Sequence, residues 1–397
     1  MNWPMVALGE VAQPIETWNP QRSPGASAFD YIDLSSVCRD SKVIRSPVRT
    51  DPADAPSRAR QKVKADDILI STVRPNLNGV AIVSDELDGA TASTGFTVLR
   101  ADDRKASSRY LFHWATSPTF VADMVRKATG QSYPAVSDKI VMTSEIPLPP
   151  LPEQRRIAGV LDAADALRRR RRAAIETLDT LQGALFAEMF GDPVDDPDFS
   201  VDALGKWVPD FIAGKNLKAA PEGAEGAHRV LKVSAVTKRV FDPDEVKWLP
   251  QGYEPPAHHG VEVGDLLFSR ANTAALIGAT ALVDRLHAKT VLPDKVWKFD
   301  LSPQGAPEPR FLHALFGLPS MRREISKRAS GTSGSMKNIA KQKLMNIPVG
   351  MPPLNLQHVF VKRAERLQTG RTAMTTHLAH LDALFSALQS RAFAGEL

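Results

Sequence analysis

The sequence predicts an α+β protein in which two tandem α/β blocks are joined by two long helices, and the helices pair as an antiparallel coiled coil about a pseudo-twofold axis. Three observations predict this fold. An internal repeat runs through the chain at an offset of about 200 residues. Each copy ends in a segment with heptad spacing, and a proline-rich hinge precedes each of these segments.

The repeat includes the strands and helices of the blocks. Asp67-Ile68-Leu69-Ile70-Ser71 matches Asp265-Leu266-Leu267-Phe268-Ser269 at a shift of 198 residues. Short apolar runs bounded by Gly, Pro, Asn and Asp are typical of strands, and helical spacing follows at Tyr110 to Arg126 and at Arg310 to Arg328. Each copy is therefore a block of about 150 residues, the size of an ordinary domain, plus one helix.

A hinge and a heptad segment follow each block. The hinges are Pro147 to Pro152 and Pro348 to Pro353, where proline fixes φ and removes backbone donors, so the chain should leave each block at a set angle. Heptad positions run from Ile157 to Leu185 and, 203 residues later, from Phe360 to Leu388. A long helix with one apolar seam needs a partner, and the obvious partner is the other helix.

Arginines interrupt this seam. Arg168, Arg171 and Arg371 occupy heptad positions, where arginine lowers stability unless its head group reaches solvent or pairs. Arg168 to Arg172 is a run of five arginines, and five successive residues cannot share one face of a helix. A solvated charged midsection and a contact to DNA or a partner protein are both open interpretations of this run.

These features divide the chain into four segments. The first block covers residues 1–148, and the hinge with the central helix covers residues 149–195. The second block covers residues 196–350, and the hinge with the C-terminal helix covers residues 351–397.

Composition favours a protein of the reducing cytoplasm. The chain has 397 residues, no apolar run near the roughly 20 residues that a membrane helix needs, and no signal-peptide pattern at its start. A single cysteine, Cys38, excludes an internal disulfide framework and a cysteine-cluster metal site. The formal charge of +5 modestly favours an acidic partner such as nucleic acid.

Motifs for methyl transfer and ATP hydrolysis are absent from the sequence, which predicts a non-catalytic protein. No Asn or Asp-Pro-Pro-aromatic motif of an amino-methyltransferase and no glycine-rich phosphate loop ending in Lys-Ser/Thr occurs. The adjacent acids Asp244-Glu245 fit a solvated turn better than a nuclease site. We expect no metal site, because the neighbouring side chains of His258-His259 point apart.

The most specific segment is the first hinge, Ile146-Pro147-Leu148-Pro149-Pro150-Leu151-Pro152-Glu153-Gln154, which enters the heptad helix directly. Together with the tandem organisation and the strand motifs Asp67–Ser71 and Asp265–Ser269, it resembles the specificity (S) subunits of type I restriction-modification systems. The resemblance covers essentially the whole chain. In the second copy the hinge changes to Ile347–Gln357 and loses the Pro-Glu pair, so its identity there depends on the repeat.

The resemblance implies a DNA-reading role. The blocks would be two target recognition domains, each reading one half of a bipartite, asymmetric sequence in double-stranded DNA. The paired helices would set the spacer between the halves and dock two methyltransferase (M) subunits, and a motor and nuclease (R) subunit would join to form the restriction enzyme. S-adenosylmethionine, ATP and Mg²⁺ would be cofactors of those partner subunits, and no cofactor is expected in this chain.

An alternative of a different class is a non-restriction scaffold, or a specificity factor of a phage-defence complex that only methylates DNA. In that case the blocks would bind protein or DNA without restriction. Sequence-specific binding of a duplex by the assembled complex would separate the two hypotheses.

Two loops in each copy are the candidate DNA-binding sites. The first follows the Asp-to-Ser strand and offers Arg and Asn, which suit guanine and adenine, and the second has glycines that permit close backbone approach. In the first copy the candidate residues are Arg74, Asn76, Asn78, Gln131, Ser132 and Tyr133. In the second copy they are Arg270, Asn272, Thr332, Ser333 and Lys337. For any single side chain, a role in structuring its loop is an open alternative to base contact.

Overall fold

The chain divides into two compact units, Met1–Ala174 with Met374–Leu397, and Ile175–Ala373. Each unit contains one α/β block and part of both long helices. The computed structural model describes residues 3–23, 25, 27–130, 132–220, 226–302, 305–331 and 336–397. Gln131, Thr332 and Ser333, three of the predicted DNA contacts, lie outside the described residues.

The first unit consists of short strands with helices between them. Its strands are β1 (Met5–Ala7), β2 (Ala12–Gln13), β3 (Phe29–Ile32), β4 (Val37–Cys38), β5 (Val43–Ile44), β6 (Val48–Thr50), β7 (Ala59–Lys62), β8 (Ile68–Ser71), β9 (Val80–Ile82), β10 (Thr91–Ser93), β11 (Phe96–Ala101) and β12 (Glu145–Pro147). Its helices are α1 (Ser108–Ala115), α2 (Pro118–Lys127), α3 (Asp138–Met142) and the first part of α4 (Leu151–Phe190).

Two sheets position the candidate loops of this unit. One has the order β6-β3-β10-β7, in which β3 and β10 run parallel, and the other is antiparallel with the order β2-β11-β8-β9. Strand β8 lies inside the second sheet, where Ser71 is paired with Phe96. Its residues Ile68–Ile70 are all buried, which is why these three successive positions are apolar. The predicted strand at Asp67–Ser71 is confirmed.

The second unit repeats this plan. Its strands are β13 (Gly191–Asp192), β14 (Asp196–Pro197), β15 (Val201–Ala203), β16 (Asp210–Ala213), β17 (Arg229–Leu231), β18 (Val246–Trp248), β19 (Leu266–Ser269), β20 (Ala271–Asn272), β21 (Thr280–Leu282), β22 (Thr290–Val291), β23 (Val296–Asp300), β24 (Lys337–Asn338) and β25 (Pro348–Gly350). Its helices are α5 (Leu204–Trp207), α6 (Ser234–Thr237), α7 (Pro309–Leu315), α8 (Pro319–Arg328), α9 (Lys341–Met345) and part of α10 (Leu354–Phe393).

The sheet order in the second unit matches that in the first. An antiparallel sheet has the order β16-β23-β19-β21, and a second sheet has the order β18-β17-β22 with β17 and β22 parallel. Strand β19 takes the place of β8, and Leu266–Ser269 is buried throughout. Phe186 and Phe190 from α4 pack with Phe311 and Phe360 in the core of this unit.

The two long helices, of 40 residues each, pair antiparallel within each unit. In the first unit, Arg168 Nε lies 2.6 Å from Asp382 Oδ1. In the second unit, the ring of Phe186 packs edge-on against that of Phe360 with centroids 5.4 Å apart. No predicted heptad position on either helix is exposed. The predicted α+β class, with repeated α/β blocks and two helices paired as an antiparallel coiled coil, is confirmed.

Two of the three arginines in the seam, Arg168 and Arg371, are paired with carboxylates. The guanidinium of Arg168 lies 4.2 Å from the Phe385 ring, and Arg172 Nη2 also reaches Asp382 Oδ1, at 2.9 Å. In the second unit, Arg371 Nε donates to Asp179 Oδ1 at 2.6 Å. Pairing with a carboxylate on the facing helix is therefore how the seam accommodates these charges.

A buried glutamine fixes the hinge of each unit. In the first unit, Gln154 is fully buried, and its Oε1 accepts from the Ser107 amide at 2.9 Å. Its Nε2 donates to the carbonyl groups of Lys105, at 3.0 Å, and Pro149, at 2.8 Å. The side chain thus ties the hinge, the start of α4 and the start of α1 together.

The second unit uses the same device at Gln357. Its Oε1 accepts from the Glu308 amide at 2.9 Å, and its Nε2 donates to the Pro352 carbonyl at 2.8 Å. Because the glutamine and its backbone partners recur, the identity of the second hinge is supported although its Pro-Glu pair is lost.

An ion pair between block and helix accompanies the glutamine in the first unit. Arg109 Nε donates to Asp162 at 3.1 Å, and His113 Nε2 lies 2.8 Å from the same carboxylate. Partial burial opposes ionisation, but these hydrogen bonds hold the pKa of Asp162 well below its usual range. The repeat places an equivalent pair in the second unit, where Arg310 Nε lies 3.2 Å from Glu365 Oε1.

Candidate nucleic-acid interface

In the first unit, the chain turns sharply after β8. Arg74 has a left-handed backbone, with φ 51°, and begins a short 3₁₀ turn over Pro75–Leu77 that Asn78, with φ 48°, ends. The Leu77 amide donates to the Arg74 carbonyl at 2.9 Å. The side chains of Arg74 and Asn76 are exposed on this turn.

The second candidate loop of the first unit is joined to this turn. Thr129 and Ala135 exchange two backbone hydrogen bonds of 2.9 Å, which close the loop between them. The Arg74 amide donates to the Pro134 carbonyl at 2.7 Å. The two loops, which are far apart in sequence, therefore form one surface beyond the end of β8.

Arg74 and Tyr133 stack on this surface. The guanidinium carbon lies 4.6 Å from the centroid of the Tyr133 ring, and Tyr133 is 69% exposed. The attraction between a cation and the face of a ring uses none of the N–H donors of the guanidinium. Ser132 is also exposed. The structure thus places Arg74, Asn76, Ser132 and Tyr133 on one surface.

Asn78 differs from these four residues because its side chain points inward. Its Nδ2 donates to the Thr116 carbonyl at 3.1 Å, and its own carbonyl accepts from Lys42 Nζ. Burial lowers the pKa of Lys42 to about 8, although the nearby Asp40 carboxylate opposes this shift. The contacts of Asn78 are those of a residue that structures the turn.

In the second unit, the corresponding loops are joined by a short strand pair. Strand β20 pairs with β24, so that Asn272 lies opposite Lys337 and Ala271 lies opposite Asn338. Ser330 and Asn338 exchange two backbone hydrogen bonds of 2.8 Å, as Thr129 and Ala135 do in the first unit. The described part of each unit therefore joins its two candidate loops in the same way.

Unlike the side chain of Arg74, the side chain of Arg270 is held by Asp294. Its Nε donates to the Asp294 carbonyl at 2.7 Å, and its Nη2 lies 3.8 Å from the Asp294 carboxylate. Asn272 is half-buried, with Nδ2 3.4 Å from Ser269 Oγ and Oδ1 accepting from the Thr273 amide at 2.8 Å. Lys337, also half-buried, lies opposite Asn272 on the paired strand.

Sequence reasoning missed two cations beside these loops, Lys42 and Arg239. Both have left-handed backbones, with φ 56° and 60°, and each directly precedes a valine. Arg239 Nη2 donates to the His313 carbonyl at 2.9 Å, and its guanidinium lies so close to Gly317 that a Cβ there would collide with it. Burial and the neighbouring charge of Arg322 lower the pKa of Arg239. The shared Lys/Arg-Val dipeptide within the repeat is the signal that could have identified these residues.

Arg322 holds the segment that follows Asn272. Its Nη2 donates to the Ala275 carbonyl at 2.6 Å, while its Nη1 is buried and has no hydrogen-bond partner among the described residues. The first copy has Val121 at the position 201 residues earlier, so this contact is specific to the second unit. The two surfaces therefore share a backbone plan and differ in side chains.

Neither a metal centre nor a membrane span is found within the part of the chain that the structure describes. No group of three or more His, Cys, Asp or Glu side chains in this part is arranged to hold a metal ion. No helix here combines the length and the apolar character that crossing a bilayer requires. The surface formed by the paired loops is therefore the candidate site.

Comparison with known proteins gives consistent relatives. Residues 53–177 match the family described as type I restriction modification DNA specificity domain. The specificity subunit of type I restriction enzyme EcoKI from Escherichia coli strain K12 is 24% identical over 355 residues, covering 85% of this chain and 76% of that subunit. The EcoEI specificity subunit of Escherichia coli is 28% identical over 195 residues, covering 46% of this chain and 32% of that subunit.

Solved structures agree along the whole chain. A chain from a study of complex assembly and conformational transition of the type I R-M system has a TM-score of 0.60 and 28% identity, covering 100% of this chain and 98% of its own length. The type I S subunit from M. genitalium has a TM-score of 0.56 at 13% identity, covering 99% and 96%, and supports the fold alone.

The chain is built from two copies of one unit, and each copy carries the paired loops. The agreement extends over family, relatives and structures. Along most of its length the chain is similar to the specificity (S) subunits of type I restriction enzymes.

Proposed function

We propose that this chain is the DNA sequence-specificity subunit of a type I restriction-modification complex, and that each unit reads one half of a bipartite, asymmetric target in double-stranded DNA. One observation carries the proposal. In both units, two loops that are distant in sequence are joined by backbone hydrogen bonds beyond the end of an equivalent buried strand, β8 or β19. A rigid sheet that presents two adjoining loops suits base readout.

The residues that would contact DNA follow from this surface. In the first unit we assign Arg74, Asn76, Ser132 and Tyr133 to the interface, and we assign Asn78 to the support of its turn. In the second unit Asn272 and Lys337 are the described candidates, while Arg270 supports its loop through Asp294. Because the side chains differ between the units, the two half-sites should differ in sequence.

The partners and cofactors follow from the same role. We propose that the paired helices dock two methyltransferase (M) subunits and that a motor and nuclease (R) subunit joins the complex. This chain would have no catalytic activity, and S-adenosylmethionine, ATP and Mg²⁺ would be bound by the partner subunits. The similarities reported above do not favour the alternative of a non-restriction scaffold.

Methylation sequencing tests the proposed function. DNA would be taken from cells that express this chain with its neighbouring methyltransferase and from cells that express the methyltransferase alone. We expect a split, asymmetric methylated motif only when this chain is present. An active methyltransferase that gives the same methylation with and without the chain would contradict the proposal.

A helix insertion tests the proposed spacer. One heptad would be added to α4 between Leu161 and Leu185, with a matching heptad in α10, which lengthens the helix pair by about 10 Å. We expect the spacer in the methylated motif to grow by about three base pairs while both half-sites are unchanged. A two-residue insertion in α4 alone at the same place is the control, because it turns the apolar seam by about 200° away from the partner helix and should abolish methylation. Changed half-sites at constant spacing would refute the assignment.

A further inference from the structure

The strongest unassigned feature of the interface is the conformation of Arg74. Its backbone has φ 51° and ψ 62°, a region that an arginine enters only at a cost of about 1 kcal/mol or more. Hydrogen bonds on both sides hold it there, from its amide to Pro134 and from the Leu77 amide to its carbonyl. Non-glycine residues held in this region concentrate at sites that contact ligands.

The Arg74 guanidinium is both oriented and free. Its guanidinium carbon lies over the exposed Tyr133 ring, 4.6 Å from the ring centroid. Within the residues that the structure describes, no carboxylate lies within 4.0 Å of it and no acceptor bonds its N–H groups. An oriented guanidinium with unused donors can form two parallel hydrogen bonds to one partner.

The chemistry of the two loops favours a base over a phosphate as that partner. The loops at 72–78 and 129–135 contain no other Lys or Arg, whereas surfaces that bind the DNA backbone depend on clustered cations. Their exposed polar neighbours, Asn76 and Ser132, are an amide and a hydroxyl, which read base edges. Guanine, with O6 and N7 side by side in the major groove, is the base that suits a bidentate arginine.

The second unit lacks this arrangement. At the shift of 198 residues, Asn272 stands at the position of Arg74 and Arg270 at that of Thr72. Asn272 is half-buried, whereas Arg270 donates to the Asp294 carbonyl and its aromatic neighbour Trp297 is buried. We propose that Arg74, held in plane by Tyr133, reads a guanine in the half-site of the first unit, and that Arg270 makes no equivalent contact in the other half. This inference rests on the proposed function and adds to it the base that Arg74 reads.

Methylation of a randomised target library by the assembled complex tests the inference. With Arg74→Ala, we expect one guanine in one half-site to lose its requirement and methylation of the original target to fall about ten- to hundredfold. Arg74→Lys should also lose the guanine requirement, because lysine keeps the charge and loses the planar fork. Lys64→Ala is the control, since Lys64 is exposed at the opposite end of β8, and should leave the motif unchanged.

Substitutions of the aromatic ring separate orientation from hydrogen bonding. Tyr133→Phe keeps the ring face and should match the unsubstituted chain within about twofold, whereas Tyr133→Leu should reduce selectivity for the same guanine about two- to fivefold. If Phe and Leu have equal effects, the ring does not orient Arg74. In every variant the unchanged half-site reports that the complex has folded and assembled.

The outcomes are distinguishable from failure of the proposed function. If the unsubstituted complex gives no split motif, the proposed function fails. If a split motif is present and Arg74→Ala leaves every base requirement intact, the guanine inference fails while the proposed function stands. A third outcome would assign Arg74 to a phosphate and overturn the inference. In that case Arg74→Ala lowers methylation of all sequences alike, the slope of binding against salt falls by about one unit, and Arg74→Lys restores methylation.

Discussion

Replacement of the buried hinge glutamine should destabilise one unit by an amount that its hydrogen bonds determine. Gln154→Leu is close to isosteric, so it removes three hydrogen bonds while it largely preserves packing. The Ser107 amide and the carbonyl groups of Lys105 and Pro149 would lose their partner. At about 1 kcal/mol for each of the three hydrogen bonds, we expect a loss of about 3 kcal/mol.

The second unit provides an internal scale for this loss. Gln357 makes two such hydrogen bonds, so Gln357→Leu should lower the free energy of unfolding by about 2 kcal/mol. Gln342→Leu on α9 is the control, because Gln342 is exposed, and its effect should stay below about 0.5 kcal/mol.

The measurement must separate the two units because a chain with two cores need not unfold in one step. Urea titration with pulsed hydrogen exchange and mass spectrometry would give an unfolding midpoint for peptides of each unit. Gln154→Leu should shift the midpoint of the first unit, and Gln357→Leu should shift that of the second. The reasoning is refuted if Gln154→Leu, Gln357→Leu and Gln342→Leu shift the unfolding midpoints equally. It is also refuted if Gln154→Leu shifts the midpoint of the second unit.

Two other predictions concern titration and the seam. Burial, together with the charges of nearby arginines, lowers the pKa of His313 from its usual 6.5 to about 4, so the unfolded chain binds more protons between these values. The free energy of unfolding of the second unit should therefore fall by about 2 kcal/mol as the pH drops from 6.5 to 4. His313→Gln should remove this fall. His377→Gln is the control, because His377 is exposed, and it should leave the fall unchanged. Asp382→Asn should lower the stability of the first unit by about 1 kcal/mol through Arg168 and Arg172, and 1 M salt should largely suppress the difference, because Asp382 is partly exposed.

The long helices and the central strands could be predicted from sequence because their signals are periodic and local. The heptad spacing from Ile157 to Leu185 indicates a helix with one buried face. The apolar runs in Asp67–Ser71 and Asp265–Ser269 indicate strands that are buried on both faces. The repeat strengthened each assignment, since two sequences with the same spacing reduce the chance of a coincidental pattern. The hinge glutamine was recognised as part of a motif, but its hydrogen bonds could not be derived from sequence.

The side-chain arrangement of the interface could be predicted only in part. Exposure of Arg74 and Tyr133 agrees with the loop prediction, but their stacking depends on the hydrogen bond between Arg74 and the Pro134 carbonyl, a non-local contact. Arg74 and Arg270 both follow a matching strand, but the shift of 198 residues places Asn272 at the position of Arg74 and Arg270 at that of Thr72. The contact of Arg270 with Asp294, 24 positions away, depends on the fold and could not be derived from sequence.

The contacts that recur between the units and the contacts that do not recur are separated in space. The glutamine at each hinge and the ion pair between block and helix, Arg109–Asp162 or Arg310–Glu365, are found in both copies. At the loops, the backbone pairing recurs while the side-chain contacts of Arg74 and Arg270 do not. Each unit has its own core and its own hinge among the described residues, so we expect a change at one loop surface to act on the half-site of its own unit. Substitutions in the two loop surfaces should therefore be additive, so a chain that carries both Arg74→Ala and Asn272→Ala should show the sum of the single changes in the free energy of target recognition. A coupling above about 0.5 kcal/mol between them would show that the half-sites are not read independently.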